Sequence, residues 1–370
     1  MSALPRVELP DPLLMRSGSR VATAAQWRER RREIFDLMVP LEYGELPPAP
    51  LRTACEELHT AVVKRLGGAR LMSLRVQTGE QSAFTLRLFV PAGNGAFPVL
   101  VNGDGCWHYA SDEVLAAVLA RDMAFAQFNR VEIAPDVTGG HATPGVNPFF
   151  PGRPCAALAA WAWGYHRAVD ALHPLDFIDR NQIAVVGHSR GGKAALLAGA
   201  TDERITLTSA NNSGAAGAGC FRWQGPGSET LADVVTAFPH WFGPRLKEFA
   251  GRENELPFDQ HFLKALIAPR ALLTTEALAD HWANPSGSWQ THRAAREVYD
   301  FLGASDNIAI AFREGGHEHK LSDWTTLLDF CDTIFRGKPR AAGLECNPFP
   351  DLPRPFSWRQ PAPICATPTK

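Results

Sequence analysis

The chain has 370 residues, 45% apolar and 21% charged, with a formal net charge of −2, which suits a globular protein of one large or two modest domains. That charge balance argues against nucleic acid or an anionic membrane as partner, and no apolar run reaches the roughly eighteen residues of a membrane span. The seven cysteines (55, 106, 155, 220, 331, 346 and 365) are scattered, odd in number and form no CxxC pair, against a disulfide framework or zinc site and in favour of a reducing compartment.

The N-terminal "MSALPRVELPDPLL" lacks the basic start and apolar stretch of a secretory signal. The chain as written is expected in the cytoplasm, or secreted or periplasmic if a signal was removed. "TAAQWRERRREIFDLM" predicts a charged amphipathic helix over about 24–38, with Trp27, Ile34, Phe35 and Met38 on its apolar face. Roughly 70–90 reads as a strand pair, "ARLMSLRVQTG" and "AFTLRLFVP". Short apolar runs follow at 98–103, 124–129, 183–187, 205–210, 271–276 and 308–313. Helical stretches at 155–172, 191–200, 291–303 and 323–335 separate them. Buried strands alternating with helices predict an α/β fold, a three-layer α/β/α sandwich around a mostly parallel sheet. Two stretches break the pattern. Residues 214–262 form a Gly- and aromatic-rich insertion too long for a simple crossover. From Gly337 onward the chain carries eight prolines, a tail expected to wrap the surface or stay disordered.

"VVGHSRGGKAA" (185–195) carries the first chemistry. Gly187-His188-Ser189-Arg190-Gly191 fits G-x-S-x-G, a pentapeptide short enough to recur by chance. Here a strand precedes it and a helix follows it, and that context gives it meaning. Such a turn is sharp enough to need glycine at its flanks, and it thrusts the serine Oγ out at the carboxyl end of the sheet. The helix N-terminus offers N–H groups and a positive dipole end to a developing oxyanion. Ser189 is therefore the candidate nucleophile. A serine needs a base, and the base an orienting acid, in the chain order Ser, acid, His. "IAIAFREGGHEHKLSDW" (308–324) supplies a strand, two glycines and then His317, the candidate base, with His319 close behind. "HEH" also resembles a metal pair, but no further His/Asp ligand set accompanies it, so no metal is expected. His141 and His240 sit in loops that could line a cleft, although structural use is the plainer expectation. "VNGDGCW" (101–107) follows an early strand, where a second oxyanion loop belongs.

From about Leu9 to Trp324 the chain resembles the glucuronoyl esterases, carbohydrate esterases with an α/β-hydrolase fold that cleave esters between lignin alcohols and glucuronoxylan. The resemblance is carried by "LPDPLLMRSGSRVATAAQWRERRREI", "AAWAWGYHRAVDAL", "GHSRGGKAALLAGATDERI", "NNSGAAGAGCFRW", "SETLADVVTAFPHWFGP", "DHWANPSGS" and "REGGHEHKLSDW", among other stretches. It implies that Arg190 stabilises the oxyanion through its guanidinium and its backbone N–H. It also implies that Lys193, one helical turn beyond Ser189, holds sugar hydroxyls, that Glu229 contacts the sugar, and that Trp282 packs on its ring. For Glu229 a solvated loop carboxylate, and for Trp282 a core role, are the alternatives.

One departure matters. Many members of the family place the acid in Glu-Ser-Gly after the strand that follows the nucleophile helix, where this chain has Asn212-Ser213-Gly214. An amide cannot stabilise an imidazolium by charge. The acid is then expected after "ALLTTE": Asp280 by preference, with Glu276 as the alternative.

The expected function is serine ester hydrolysis through an acyl-enzyme, without metal or organic cofactor, on a small-molecule or oligosaccharide uronate ester. An acetyl-xylan or small-ester carboxylesterase on the same fold, or a catalytically weak carbohydrate-binding relative, are the alternatives. The expected organisation is one α/β-hydrolase domain over 1–336, with a helical extension over about 1–60, a cleft-forming insertion over about 214–262 and a Pro-rich tail over 337–370. A monomer is expected.

Overall fold

The computed structural model describes residues 8–80, 82–138 and 156–361. Among them, nine strands form one sheet: β1 (Ala54–Val63), β2 (Ala69–Gln77), β3 (Ala83–Val90), β4 (Phe97–Asn102), β5 (Ala124–Phe128), β6 (Ile178–His188), β7 (Leu207–Asn211), β8 (Ala271–Ala277) and β9 (Ile308–Arg313). Their spatial order is β1-β2-β3-β5-β4-β6-β7-β8-β9. The pairings β1–β2, β2–β3 and β3–β5 are antiparallel, and every pairing from β5 across to β9 is parallel.

The helices are α1 (Ala24–Glu42), α2 (Asp112–Leu119), α3 (Ala157–Leu172), α4 (Arg190–Thr201), α5 (Leu231–Ala237), α6 (His261–Ile267), α7 (Pro285–Phe301) and α8 (Leu321–Arg336). Strands β4, β5, β7 and β8 are buried at every position, as strands covered on both faces must be. Alternate side chains enter different cores. Val99, Val101, Ile183 and Val185 join the core that includes α1, α3, α4 and α6. Leu100, Ala184 and Val186 join the one formed with α2 and α8. This is the three-layer sandwich expected from the alternating pattern.

The differences from the expected elements have local causes. The helical part of the N-terminal extension ends at Glu42, and the segment near 60 is the edge strand β1. Its "ACEELHTAVV" is exposed along most of its length, so no apolar alternation marks it. Helix α7 begins six residues before the predicted 291 because Asn284, at φ 57, accepts the Gly287 N–H (2.9 Å) and Pro285 occupies the first turn. The described part of the tail lies on the surface. Leu9 N–H donates to the Pro355 carbonyl (2.8 Å), Trp358 Nε1–H donates to the Leu9 carbonyl (2.7 Å), and Phe356 is buried.

Strand order reverses at β4: β5 lies on one side of it and β6 to β9 run away on the other. Loops beyond the carboxyl ends of strands at such a switch point form a crevice. The loop after β4 and the turn after β6 meet there.

Candidate active site

Ser189 stands between β6 and α4 with φ 56 and ψ −125, a backbone conformation that costs energy for any residue with a side chain. The surroundings hold it. Its N–H donates to the Asn211 carbonyl (2.9 Å) and its own carbonyl accepts the Lys193 N–H (3.1 Å). A Cβ on Gly187 would stand 2.0 Å from the Gly191 carbonyl oxygen, and one on Gly191 would stand 1.9 Å from Asp104 Oδ1. Both glycines of the pentapeptide are therefore required by close approach. Asp104 ties the loop after β4 to this turn: its Oδ2 accepts the His188 N–H (2.8 Å), and its Oδ1 pairs with buried Arg130. In that loop the N–H groups of Gly103, Asp104, Gly105 and Trp107 are spent on Tyr165, Asn102, Phe128 and Asp104. Cys106 is the member whose N–H bonds no other residue among the described ones.

His317 follows β9. Its Nε2 lies 3.0 Å from Ser189 Oγ, and its Nδ1 lies 2.6 Å from Asp280 Oδ2. Asp280 is buried at the end of the turn after β8, and its Oδ1 also takes the Ala283 N–H (3.4 Å). Ser189, His317 and Asp280 are thus brought into one hydrogen-bonded line. Glu276 is not part of it. It lies on β8, fully buried, and burial pushes its carboxyl up to about 8 despite the Lys264 charge. Asn212 has a structural place instead: its Oδ1 accepts the Ala277 N–H (2.7 Å) and its own N–H donates to the Thr275 carbonyl (2.9 Å), joining the ends of β7 and β8.

The sugar-contact candidates also meet. Lys193 Nζ donates to Glu229 Oε2 (3.1 Å) and to the Ala215 carbonyl, and Trp282 Nε1–H donates to Glu229 Oε1 (3.1 Å). Glu229 is buried in this cluster rather than solvated. Trp282 is 52% exposed, so it is no core residue. The insertion supplies Glu229, and it also supplies rings around Arg190. The Arg190 guanidinium carbon lies 4.8 Å from the Trp241 ring centroid and 5.2 Å from those of Phe238 and Trp107. Its Nη1–H donates to Asp136 Oδ2 (2.6 Å).

Three neighbours escape notice in the sequence. Asp136 also receives the His240 Nε2–H (2.9 Å) and the Trp241 Nε1–H (2.7 Å) on Oδ1. Burial acts to raise its carboxyl, but the bonds from His240, Trp241 and Arg190 outweigh it and hold the group well below the usual carboxylate range. His188 packs its ring 4.7 Å from that of His317 and 5.4 Å from that of His319, which in turn stacks 4.5 Å from Trp324. Trp107, 60% exposed, is the third. Only its place in the "VNGDGCW" loop hints at a role. His240 belongs to this cluster, while His141 lies outside the described residues.

The strand order, the switch point and the strand–serine–helix turn define an α/β-hydrolase. Residues 75–303 match the family model described as glucuronyl esterase, fungi. The chain is similar to the 4-O-methyl-glucuronoyl methylesterase of Podospora anserina, at 34% identity over 84% of this chain and 64% of that protein. It therefore spans just under two thirds of that relative's length. Among solved structures it is similar to a carbohydrate esterase family 15 glucuronoyl esterase from Caldicellulosiruptor kristjansonii, at 29% identity and a TM-score of 0.81, over 96% of this chain and 98% of that one. It is also similar to a glucuronoyl esterase variant from Sporotrichum thermophile in complex with methyl 4-O-methyl-β-D-glucopyranuronate, at 27% identity and a TM-score of 0.74, over 92% and 90%. The chain belongs to the glucuronoyl esterase family.

Proposed function

We propose that this chain hydrolyses esters of glucuronic acid or its 4-O-methyl ether through an acyl-enzyme on Ser189. Ser189 Oγ attacks the ester carbonyl while His317 Nε2 takes its proton. Asp280 keeps the His317 Nδ1–H in place and stabilises the imidazolium. The negative charge on the former carbonyl oxygen is met by Arg190 and by N–H groups at the start of α4 and at Cys106. Collapse of the tetrahedral intermediate breaks the bond to the alcohol oxygen, which leaves with the proton from His317. Water then attacks the acyl-enzyme with His317 as base, freeing the uronic acid and restoring Ser189. Lys193, Glu229 and Trp282 receive the sugar: paired polar groups for its hydroxyls and an exposed indole for its apolar face.

The observation that carries this reading is the His317 imidazole, within hydrogen-bond reach of Ser189 Oγ and the Asp280 carboxylate at once. The Sporotrichum thermophile relative, in complex with a methyl glucuronate ester, supports the choice of acyl group. Hydrolysis of benzyl glucuronate, measured for wild type and Ser189→Ala in parallel, tests it. The wild type is expected to turn the ester over, and the variant to fold normally with no turnover above background. Equal rates would move the chemistry away from Ser189. Fast cleavage of p-nitrophenyl acetate with none of the glucuronate ester would point to a small-ester carboxylesterase.

A further inference from the structure

Arg190, at the start of α4 beside the candidate nucleophile, is held from several sides. Three aromatic rings, from Trp107, Phe238 and Trp241, surround its guanidinium at 4.8 to 5.2 Å. They restrain it, but nothing about an aromatic ring fixes how the planar group is rotated within that surround. Rotation is set by directional bonds. Asp136 Oδ2 supplies one, at 2.6 Å to Nη1. The carboxylate is itself locked, because Oδ1 takes both the His240 and Trp241 ring N–H groups. The Arg190 Nε–H is buried and has no hydrogen-bond partner among the described residues.

We infer that Asp136 is a positioning residue for the reaction: it fixes the Arg190 guanidinium in the orientation that receives the oxyanion. The inference rests on the proposed role of Arg190. Asparagine cannot take the place of Asp136. Whichever way its amide is turned, the NH2 faces an obligate donor, either the Trp241 indole or the Arg190 guanidinium. Because both Asp136 oxygens are taken by Arg190, His240 and Trp241 and its effect passes through Arg190, its loss should lower kcat, leave KM nearly unchanged, and affect every ester alike. Misplacing a catalytic group and removing an oxyanion donor cost about 10²-fold and 10²- to 10³-fold, respectively. A drop of about 10- to 100-fold is expected for Asp136→Asn and Asp136→Ala.

The test is a double-mutant cycle of Asp136→Asn with Arg190→Ala. It is read by the rate of covalent labelling of Ser189 with a fluorophosphonate and by kcat on p-nitrophenyl acetate. Neither readout depends on whether the natural acyl group is a glucuronate, so failure of the glucuronate reading leaves the cycle intact. Labelling followed to its endpoint counts the folded protein, and rates are normalised to that count. Trp241→Phe is run alongside: it removes one N–H from Asp136 while keeping a ring beside Arg190, and should give a smaller loss. The expected result is that Asp136→Asn and Trp241→Phe slow both readouts in the wild-type background and add no further loss to Arg190→Ala. Equal losses in both backgrounds would make Asp136 a scaffold residue and overturn the inference. So would an Asp136→Asn variant as fast as wild type, or an Arg190→Ala variant with no defect.

Discussion

Replacing Asp280 with asparagine isolates the weight of the carboxylate behind His317. Two effects add. First, the imidazolium formed during attack loses its counter-charge. With charge centres about 4 Å apart and an effective dielectric near 20, that attraction is worth roughly 4 kcal/mol, about a thousandfold in rate at 1.36 kcal/mol per decade. Second, the amide has a preferred orientation. The Ala283 N–H points at one oxygen of Asp280 (3.4 Å) while the other lies 2.6 Å from His317 Nδ1. An asparagine that keeps its oxygen on Ala283 turns its NH2 towards Nδ1. That favours the tautomer with the proton on Nε2, which cannot accept the proton of Ser189. The protease Asp→Asn change loses about 10⁴ for this reason, and Asp280→Asn is expected to fall by about 10³ to 10⁴ in kcat. Steady-state hydrolysis of benzyl glucuronate, with thermal unfolding to confirm the fold, measures it. A variant within a few-fold of wild type would refute the reasoning. If Glu276→Gln instead lost activity without losing stability, the acid would have been assigned to the wrong carboxylate.

Trp282→Ala should lower kcat/KM on benzyl glucuronate roughly tenfold, as loss of one ring contact implies, and leave p-nitrophenyl acetate hydrolysis unchanged; parallel losses on both esters would deny it a sugar contact. It is a cleaner probe than Lys193→Ala, since Lys193 and Glu229 are a buried pair and breaking it strands a carboxylate at a cost of about 3–5 kcal/mol. Asn212→Ala should reduce stability rather than turnover. It leaves the buried Ala277 N–H without its acceptor, about 1–3 kcal/mol, and forces alanine to φ 43; a melting temperature equal to that of wild type would count against this account. Acid should destabilise the fold. Burial lowers His166 and His261 to about 4 from 6.5, so below pH 6.5 the unfolded chain binds more protons than the folded one. The stability is fully present above pH 6.5 and is lost as pH falls towards 4, by roughly 3 kcal/mol per histidine. Urea midpoints measured across that range should fall steeply, and a flat profile would contradict the burial argument.

Much of this molecule can be read from local sequence because the relevant signals are local. The parallel strands are short apolar runs, since both faces are covered. The nucleophile turn is legible because β6, two glycines and α4 adjoin in the chain, and Gly187 and Gly191 are there for contacts within that same turn and its neighbour Asp104. His317 follows its strand within four residues. The acid is less legible. Glu276 and Asp280 lie four positions apart around the end of β8, and composition treats them alike. The sheet separates them: Glu276, on the strand itself, goes into the core beside Lys264, while Asp280, past its end, reaches His317. Strand β1 escapes detection because its residues face water along most of its length. Asp136 is invisible for another reason. It stands 54 positions from Arg190 and 104 from His240, in a segment with no motif. Its meaning arises only when the loop after β5, the start of α4 and the insertion converge, because a carboxylate's function is set by the donors that face it, and those donors are placed by the tertiary fold.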